Sequence, residues 1–166
     1  NRSAFFRGDT DKYEWVDVGS SFLPSDIIAA FLFAQLENLH EIQAKRKAIW
    51  NNYSKAFTGV IDINNKVQLP FVPKYASNNA HMYYLICSNS NERAELIAHL
   101  KSEGILAVFH YLSLNKSKFH SKNGDSANLY YSDLYTAKLV RLPLFFELSK
   151  AKQEKVISSI LNFYNS

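Results

Sequence analysis

The alternation of hydrophobic and polar residues predicts one long helical segment, from Ser25 to about Phe57. Its first half, Ile27 to Ala34, is apolar on every side, whereas the second half is amphipathic and carries charges such as Glu41 and Lys45. A straight helix of about 33 residues would be roughly 50 Å long, which exceeds the roughly 40 Å diameter of a compact chain of this size. The helix must therefore kink or place Ile27 to Ala34 against another domain or subunit, and we favour the second alternative.

The rest of the chain predicts a small α+β layer. Residues 1–23 are polar, aromatic and non-periodic, as is typical of a segment that lies over something larger. We expect residues 24–57 to form the long helix and residues 58–166 to form a small domain. The predicted strands are Val67–Phe71, His81–Ser88, Ile105–Tyr111 and Leu139–Leu142, and the predicted helices are Glu92–Glu103, Leu129–Lys138 and Ser149 to about Tyr164. The expected fold is α+β: a long helix followed by a three- to four-stranded sheet with helices on one face.

Composition narrows the class of protein. The net charge is +4 and the lysines are scattered, so a solvated surface is a better interpretation than a nucleic-acid-binding stripe. The single cysteine, Cys87, lies in an apolar run, and we expect it to be a buried structural thiol in a reducing cytoplasm. The longest apolar run is much shorter than the roughly 20 residues that a bilayer requires, so no membrane segment is expected.

Sequence motifs exclude several kinds of site. No histidine pair has zinc-ligand spacing, and no glycine-rich phosphate loop is present, so we expect no metal. The dipeptide His110-Tyr111 is the better candidate, because it follows a predicted strand and opens a polar loop. On composition alone, a structural role for His110 remains open as well.

Four elements of the chain resemble the DegT-type sugar-nucleotide aminotransferases. Gly19 begins a segment that continues through Ala29-Ala30 to Gln35-Leu36 and matches a family pattern. The run His81 to Ile86, the element Gly104-Ile105 through His110-Tyr111, and the closing Leu142-Pro143-Leu144 follow in the family's order. Arg46 and Tyr53 also fall where the family often has Arg and Tyr. Each match is weak alone, but together they span nearly the whole chain.

The resemblance implies a fold-type I aminotransferase that uses pyridoxal phosphate. Such an enzyme, a homodimer, would move an amino group from glutamate to a dTDP-4-keto-6-deoxy sugar in cell-surface polysaccharide synthesis. It implies that Ser21 lies near the cofactor phosphate across the dimer and that His110 and Tyr111 border the sugar-nucleotide site. The family's Schiff-base lysine lies upstream of the Gly19 segment. We therefore expect this chain, which starts at Asn1, to be a C-terminal part that is inactive without its large domain. The resemblance implies that residues 1–23 are the trailing segment of the missing large domain, residues 24–57 the long interdomain helix and residues 58–166 the C-terminal small domain.

Some positions depart from the family pattern. Ser21 stands where relatives have the Asn of Gly-x-Asn-x-Arg, and Leu23 stands at the Arg position, where it cannot replace a guanidinium. Leu112 and Asn115 replace a usual Pro and His after His110-Tyr111. Two other classes remain as alternatives: a non-catalytic protein-interaction module and a small basic nucleic-acid-binding domain.

Overall fold

The computed structural model describes residues 23–62, 67–117 and 129–165, and the chain divides after Glu37 into two compact units. Ser21 and nearly all of the predicted trailing segment, residues 1–23, lie outside the described residues. In chain order the elements are α1 (Asp26–Glu37), α2 (Leu39–Phe57), β1 (Val67–Gln68), β2 (Tyr83–Cys87), α3 (Ser90–Ser102), α4 (Tyr130–Lys138), β3 (Leu139–Leu142) and α5 (Lys150–Asn165).

Helix α1 belongs to the first unit and is exposed along its whole length. It begins where the sequence predicts, because the Ser25 hydroxyl accepts from the Ile28 N–H at 3.4 Å and the Ser25 carbonyl accepts from the Ala29 N–H at 2.9 Å. None of its residues is buried, and Phe31 and Phe33 are 70% and 63% exposed. An apolar helix with so much exposed surface is unusual on a monomer.

The predicted helical segment is interrupted at Asn38. Asn38 has φ −98° and ψ 11°, outside helical geometry, and α2 begins at the next residue. The segment from Ser25 to Phe57 is therefore helical, as predicted, but Asn38 divides it into two helices.

The sheet has three antiparallel strands in the order β1-β2-β3. Val67 pairs with Cys87 at one edge, and Tyr83 to Ile86 pair with Leu142 to Leu139 at the other. The α+β class and a three-stranded sheet agree with the prediction. The predicted strand Ile105–Tyr111 is wrong as a full strand, since only Val108 bridges to Arg141. The Ile105 carbonyl accepts from the Ala107 N–H at 3.2 Å. This local turn takes the Ile105 carbonyl out of hydrogen bonding with a neighbouring strand.

Helix α3 is capped at both ends. The Asn89 side chain accepts from the N–H groups of Asn91 and Glu92 at 2.9 and 3.0 Å. Gly104, at φ +73°, ends the helix: the Ile105 N–H donates to the Leu100 carbonyl and the Gly104 N–H to the Lys101 carbonyl. This pair of bonds is the Schellman arrangement, and it directs the chain from α3 into the segment that leads to His110.

The core lies between the sheet and helices α2, α3 and α5. Tyr83 of β2 contacts three rings of α2, with centroid distances of 5.3 Å to Trp50, 5.2 Å to Tyr53 and 6.1 Å to Phe57. The Gln153 side chain of α5 donates to the Ile49 carbonyl at 2.7 Å, so α2 and α5 are also joined by a buried hydrogen bond.

Cys87 is a buried thiol, as the sequence predicts. Its Sγ lies 3.7 Å from the Tyr164 hydroxyl, and burial raises the pKa of the thiol to about 11. A thiol with so high a pKa is protonated at neutral pH and a poor nucleophile. Within the described ranges, no helix combines the length and apolar character that crossing a bilayer requires.

Candidate functional site

His110 sits beside the open edge of β3. Val108 and Arg141 exchange backbone hydrogen bonds of 3.1 and 2.7 Å, which makes them a hydrogen-bonded antiparallel pair. Residues two apart along an extended segment face the same side, so His110 follows Val108 onto the side where the Arg141 side chain lies. The Nη1 atom of Arg141 lies 3.3 Å from the Nδ1 atom of His110.

Tyr111 turns the chain sharply after His110. Its φ is +48°, in the left-handed region that residues other than glycine rarely adopt. The Thr136 hydroxyl of α4 donates to the Tyr111 carbonyl at 3.5 Å. The rings of His110 and Tyr111 meet edge to face at 4.9 Å, and Tyr111 is 73% exposed. Backbone strain with little burial to compensate for it is typical of a functional position.

A polar network anchors the loop that follows. The Ser113 hydroxyl contacts the Asn115 amide oxygen and lies 2.8 Å from the Ser132 hydroxyl of α4. Lys116 Nζ lies 3.1 Å from the Asp133 carboxylate. Desolvation raises the pKa of Asp133, but hydrogen bonds from Lys116 and Ser113 outweigh it and lower the pKa overall. The network ties residues 113–116 to α4, and it gives Asn115 a structural contact.

A cleft of about 790 Å³ adjoins this bend, a volume within the usual range of small-molecule sites. Arg141 lines it, whereas His110 and Tyr111 do not. The other lining residues are His81, Lys152 and Lys155 among the polar ones, and Met82, Gly104, Ile105, Leu106, Val108, Leu142, Pro143, Leu144, Phe145 and Val156. The lining thus contains cations and no carboxylate, an electrostatic character that favours anions.

Arg46 shapes the wall of the cleft at His81. Its guanidinium donates to the carbonyls of Ala80 and His81 at 3.2 and 2.6 Å. Ala80 has φ +51°, and its N–H donates to the Asn78 side chain at 2.8 Å. Tyr53, the other matched position, is fully buried and donates its hydroxyl to the Pro143 carbonyl at 2.9 Å. Both residues hold backbone around the cleft.

The predicted residues His110 and Tyr111 are neighbours in sequence with their rings in contact, and neither lines the cleft. Sequence reasoning missed Arg141, although a cation directly before Leu142-Pro143-Leu144 was visible in the chain. Ser21, the predicted cofactor contact, lies outside the described residues.

The described residues do not by themselves fit a pyridoxal phosphate site. Every lysine in the described ranges is exposed or half-buried, whereas a Schiff-base lysine belongs in an enclosed site. In the same ranges, no group of His, Cys, Asp and Glu side chains could hold a metal ion.

A family model described as the DegT/DnrJ/EryC1/StrS aminotransferase family matches residues 3–161. Among solved structures, a DegT DnrJ EryC1 StrS aminotransferase from Brucella abortus is 28% identical with a TM-score of 0.78, over 99% of this chain and 43% of that one. DesV from S. venezuelae is 20% identical with a TM-score of 0.81, over 96% and 42%. The PLP form of the putative sugar aminotransferase Spr1654 from Streptococcus pneumoniae is 21% identical with a TM-score of 0.77, over 94% and 40%.

The chain belongs to the DegT/DnrJ/EryC1/StrS aminotransferase family. It spans about two fifths of the length of the solved relatives it matches. The fold-type I assignment is thereby confirmed, and neither the interaction module nor the nucleic-acid-binding domain receives support from these relatives.

The strained backbone at Tyr111 generates a stability prediction. Because glycine adopts a positive φ without penalty, Tyr111→Gly should be more stable to unfolding than Tyr111→Ala by about 1 kcal/mol. Urea titration of both variants measures the difference.

The neighbouring Leu112 supplies the matched control, since it is 77% exposed and its φ is not positive. There the order should reverse, with Leu112→Ala at least as stable as Leu112→Gly. If Tyr111→Ala equals or exceeds Tyr111→Gly, the bend carries no strain.

Proposed function

We propose that this chain is the C-terminal small domain, with the interdomain helix, of a pyridoxal-phosphate-dependent sugar-nucleotide aminotransferase. The enzyme moves the amino group of glutamate to a dTDP-4-keto-6-deoxy sugar. The branch that the sequence favours is dTDP-4-amino-4,6-dideoxygalactose transaminase of enterobacterial common antigen synthesis, a lipopolysaccharide-type pathway. The observation that carries the proposal is the bend at His110-Tyr111, where the family's motif coincides with a strained backbone and a hydrogen bond to Arg141.

In this proposal His110 and Tyr111 bind the sugar nucleotide. An imidazole can donate or accept a hydrogen bond, and an exposed phenol ring offers a face for a sugar or base to stack on. The strained turn fixes both rings relative to each other, so the ligand meets a preorganised surface. Binding and orientation are the work of these residues, and the cofactor supplies the electron sink when bound.

Ser21 is proposed to contact the cofactor phosphate of the partner subunit. It comes shortly before the start of α1 at Asp26, and hydroxyl and backbone N–H groups near a helix start favour phosphate. The catalytic lysine is proposed to lie on the large domain, as in the family. The 166-residue chain alone is therefore inactive. An absorbance band of the 166-residue chain at about 400 nm that survives dialysis and disappears with borohydride would show a Schiff base and contradict the predicted inactivity.

Helix α1 is proposed to contact the large domain, and a second copy takes its place when that domain is absent. Phe31→Asp puts a charge on the exposed apolar surface, so it should raise solubility and shift any dimer of the 166-residue chain toward monomer. Sedimentation velocity over a concentration series measures the shift.

The matched control is Glu37→Asp, a charge-conserving change on the same helix that should leave the association unchanged. A monomeric unmutated chain at all concentrations would argue against the contact surface.

The central kinetic prediction concerns His110 in the full-length enzyme. His110→Ala should lower kcat/KM for the sugar nucleotide by roughly 5- to 150-fold, the range of one lost hydrogen bond of about 1–3 kcal/mol. The half-reaction with glutamate should not change, because the proposal assigns His110 to the sugar nucleotide and not to the amino donor. Separate half-reaction kinetics measure both.

His40→Ala is the control, since His40 is exposed on α2. Its kinetics should match the unmutated enzyme. If His110→Ala also matches it while the fold is intact, His110 is structural and the proposal loses its main support.

A further inference from the structure

The contact between Arg141 and His110 assigns the protons of the imidazole. A guanidinium has five N–H donors and no acceptor, so a hydrogen bond to a ring nitrogen needs a lone pair on that nitrogen. The 3.3 Å contact is made to His110 Nδ1. Nδ1 therefore accepts, and the ring proton is on Nε2.

The second ring nitrogen has no hydrogen-bond partner within the described part of the chain. Among the described residues, none hydrogen-bonds to Nε2 of His110, and its only ring neighbour is Tyr111. An Nε2–H is a donor, so the group it recognises must be an acceptor, such as a keto, hydroxyl or phosphate oxygen.

Backbone geometry explains why Arg141 reaches His110. Arg141 pairs with Val108, and a diagonal neighbour two residues along an antiparallel pair lies within reach of a long side chain. Two tyrosines hold strand β3 near Arg141. Tyr84 of β2 is the cross-strand partner of Arg141, and the Tyr53 hydroxyl donates to the Pro143 carbonyl just after the strand. Arg141 is thus fixed by its backbone, and its side chain can orient the ring.

We propose that Arg141 is a positioning residue that holds His110 as the Nε2–H tautomer, so that His110 presents a hydrogen-bond donor to an acceptor oxygen of the sugar nucleotide. The role of that oxygen rests on the proposed function. The position of the ring proton rests on the Arg141 contact alone. The tautomer and the ligand contact can therefore fail separately.

The tautomer is measured by ¹⁵N–¹H correlation spectra of the imidazoles in the 166-residue chain, at a slightly alkaline pH where imidazoles are neutral. In the unmutated chain, His110 should show more than about a tenfold excess of Nε2–H, as expected for a hydrogen bond to a charged donor. Arg141→Glu replaces the donor with an acceptor, so the proton should move to Nδ1 and the ratio should invert.

Lys152→Glu is the matched control, because it makes the same charge reversal in the adjoining cleft without a contact to His110. It should leave the ratio unchanged. Arg141→Lys, which keeps a donor, should retain the Nε2–H excess, and Arg141→Met should lose it. These two variants keep the test decisive if Arg141→Glu does not fold. An Nδ1–H ring in the unmutated chain, or one ratio across all Arg141 variants, overturns the proposal.

Kinetics of the full-length enzyme test the connection to the ligand. Arg141→Met should lower kcat/KM for the sugar nucleotide several-fold, but it should add little to His110→Ala, since the double variant has no imidazole left for Arg141 to position. Full additivity overturns the claim that Arg141 acts through His110. If the tautomer is as stated while His110→Ala has no kinetic effect, the ligand-facing role falls, and with it the proposed function of this ring.

Discussion

The packing of α2 against Tyr83 is the constraint on which the rest of the structure depends. Three aromatic rings on successive turns of α2 meet one ring of β2, and the Tyr53 hydroxyl donates to the Pro143 carbonyl just after β3. Helix, central strand and edge strand are thereby fixed together in one buried cluster. Aromatic pairs of this kind contribute beyond their buried area, by roughly 0.5–1.5 kcal/mol each. The position of Arg141, and hence of His110, follows from this cluster.

The candidate site is built where regular pairing ends. After the Schellman turn at Gly104, the chain makes a single bridge to β3 at Val108 and then bends at Tyr111. If a continuous fourth strand paired with β3, His110 would lie along the sheet edge, and the residues before and after it would belong to the same strand. The single bridge instead leaves an exposed bend whose side chains are oriented by Arg141 and whose carbonyl is held by Thr136 of α4. Preorganisation here comes from a few directional contacts on a rigid base.

Periodicity predicted the helices and the strands β2 and β3, because these features depend on local sequence. It did not locate the break at Asn38 or the loss of strand Ile105–Tyr111, because both come from the backbone conformation of single residues and leave the hydrophobic pattern unchanged. His110 and Tyr111 were identified from their motif and position. Arg141 was not, because its importance comes from a cross-strand register that a single sequence does not reveal.

The most direct test of the account is a structure of the full-length enzyme with its sugar nucleotide bound. The account predicts that His110 Nε2 lies within about 3.2 Å of an acceptor oxygen of the ligand while Nδ1 stays on Arg141. A ligand bound elsewhere, with neither His110 nor Tyr111 in contact with it, would contradict the account.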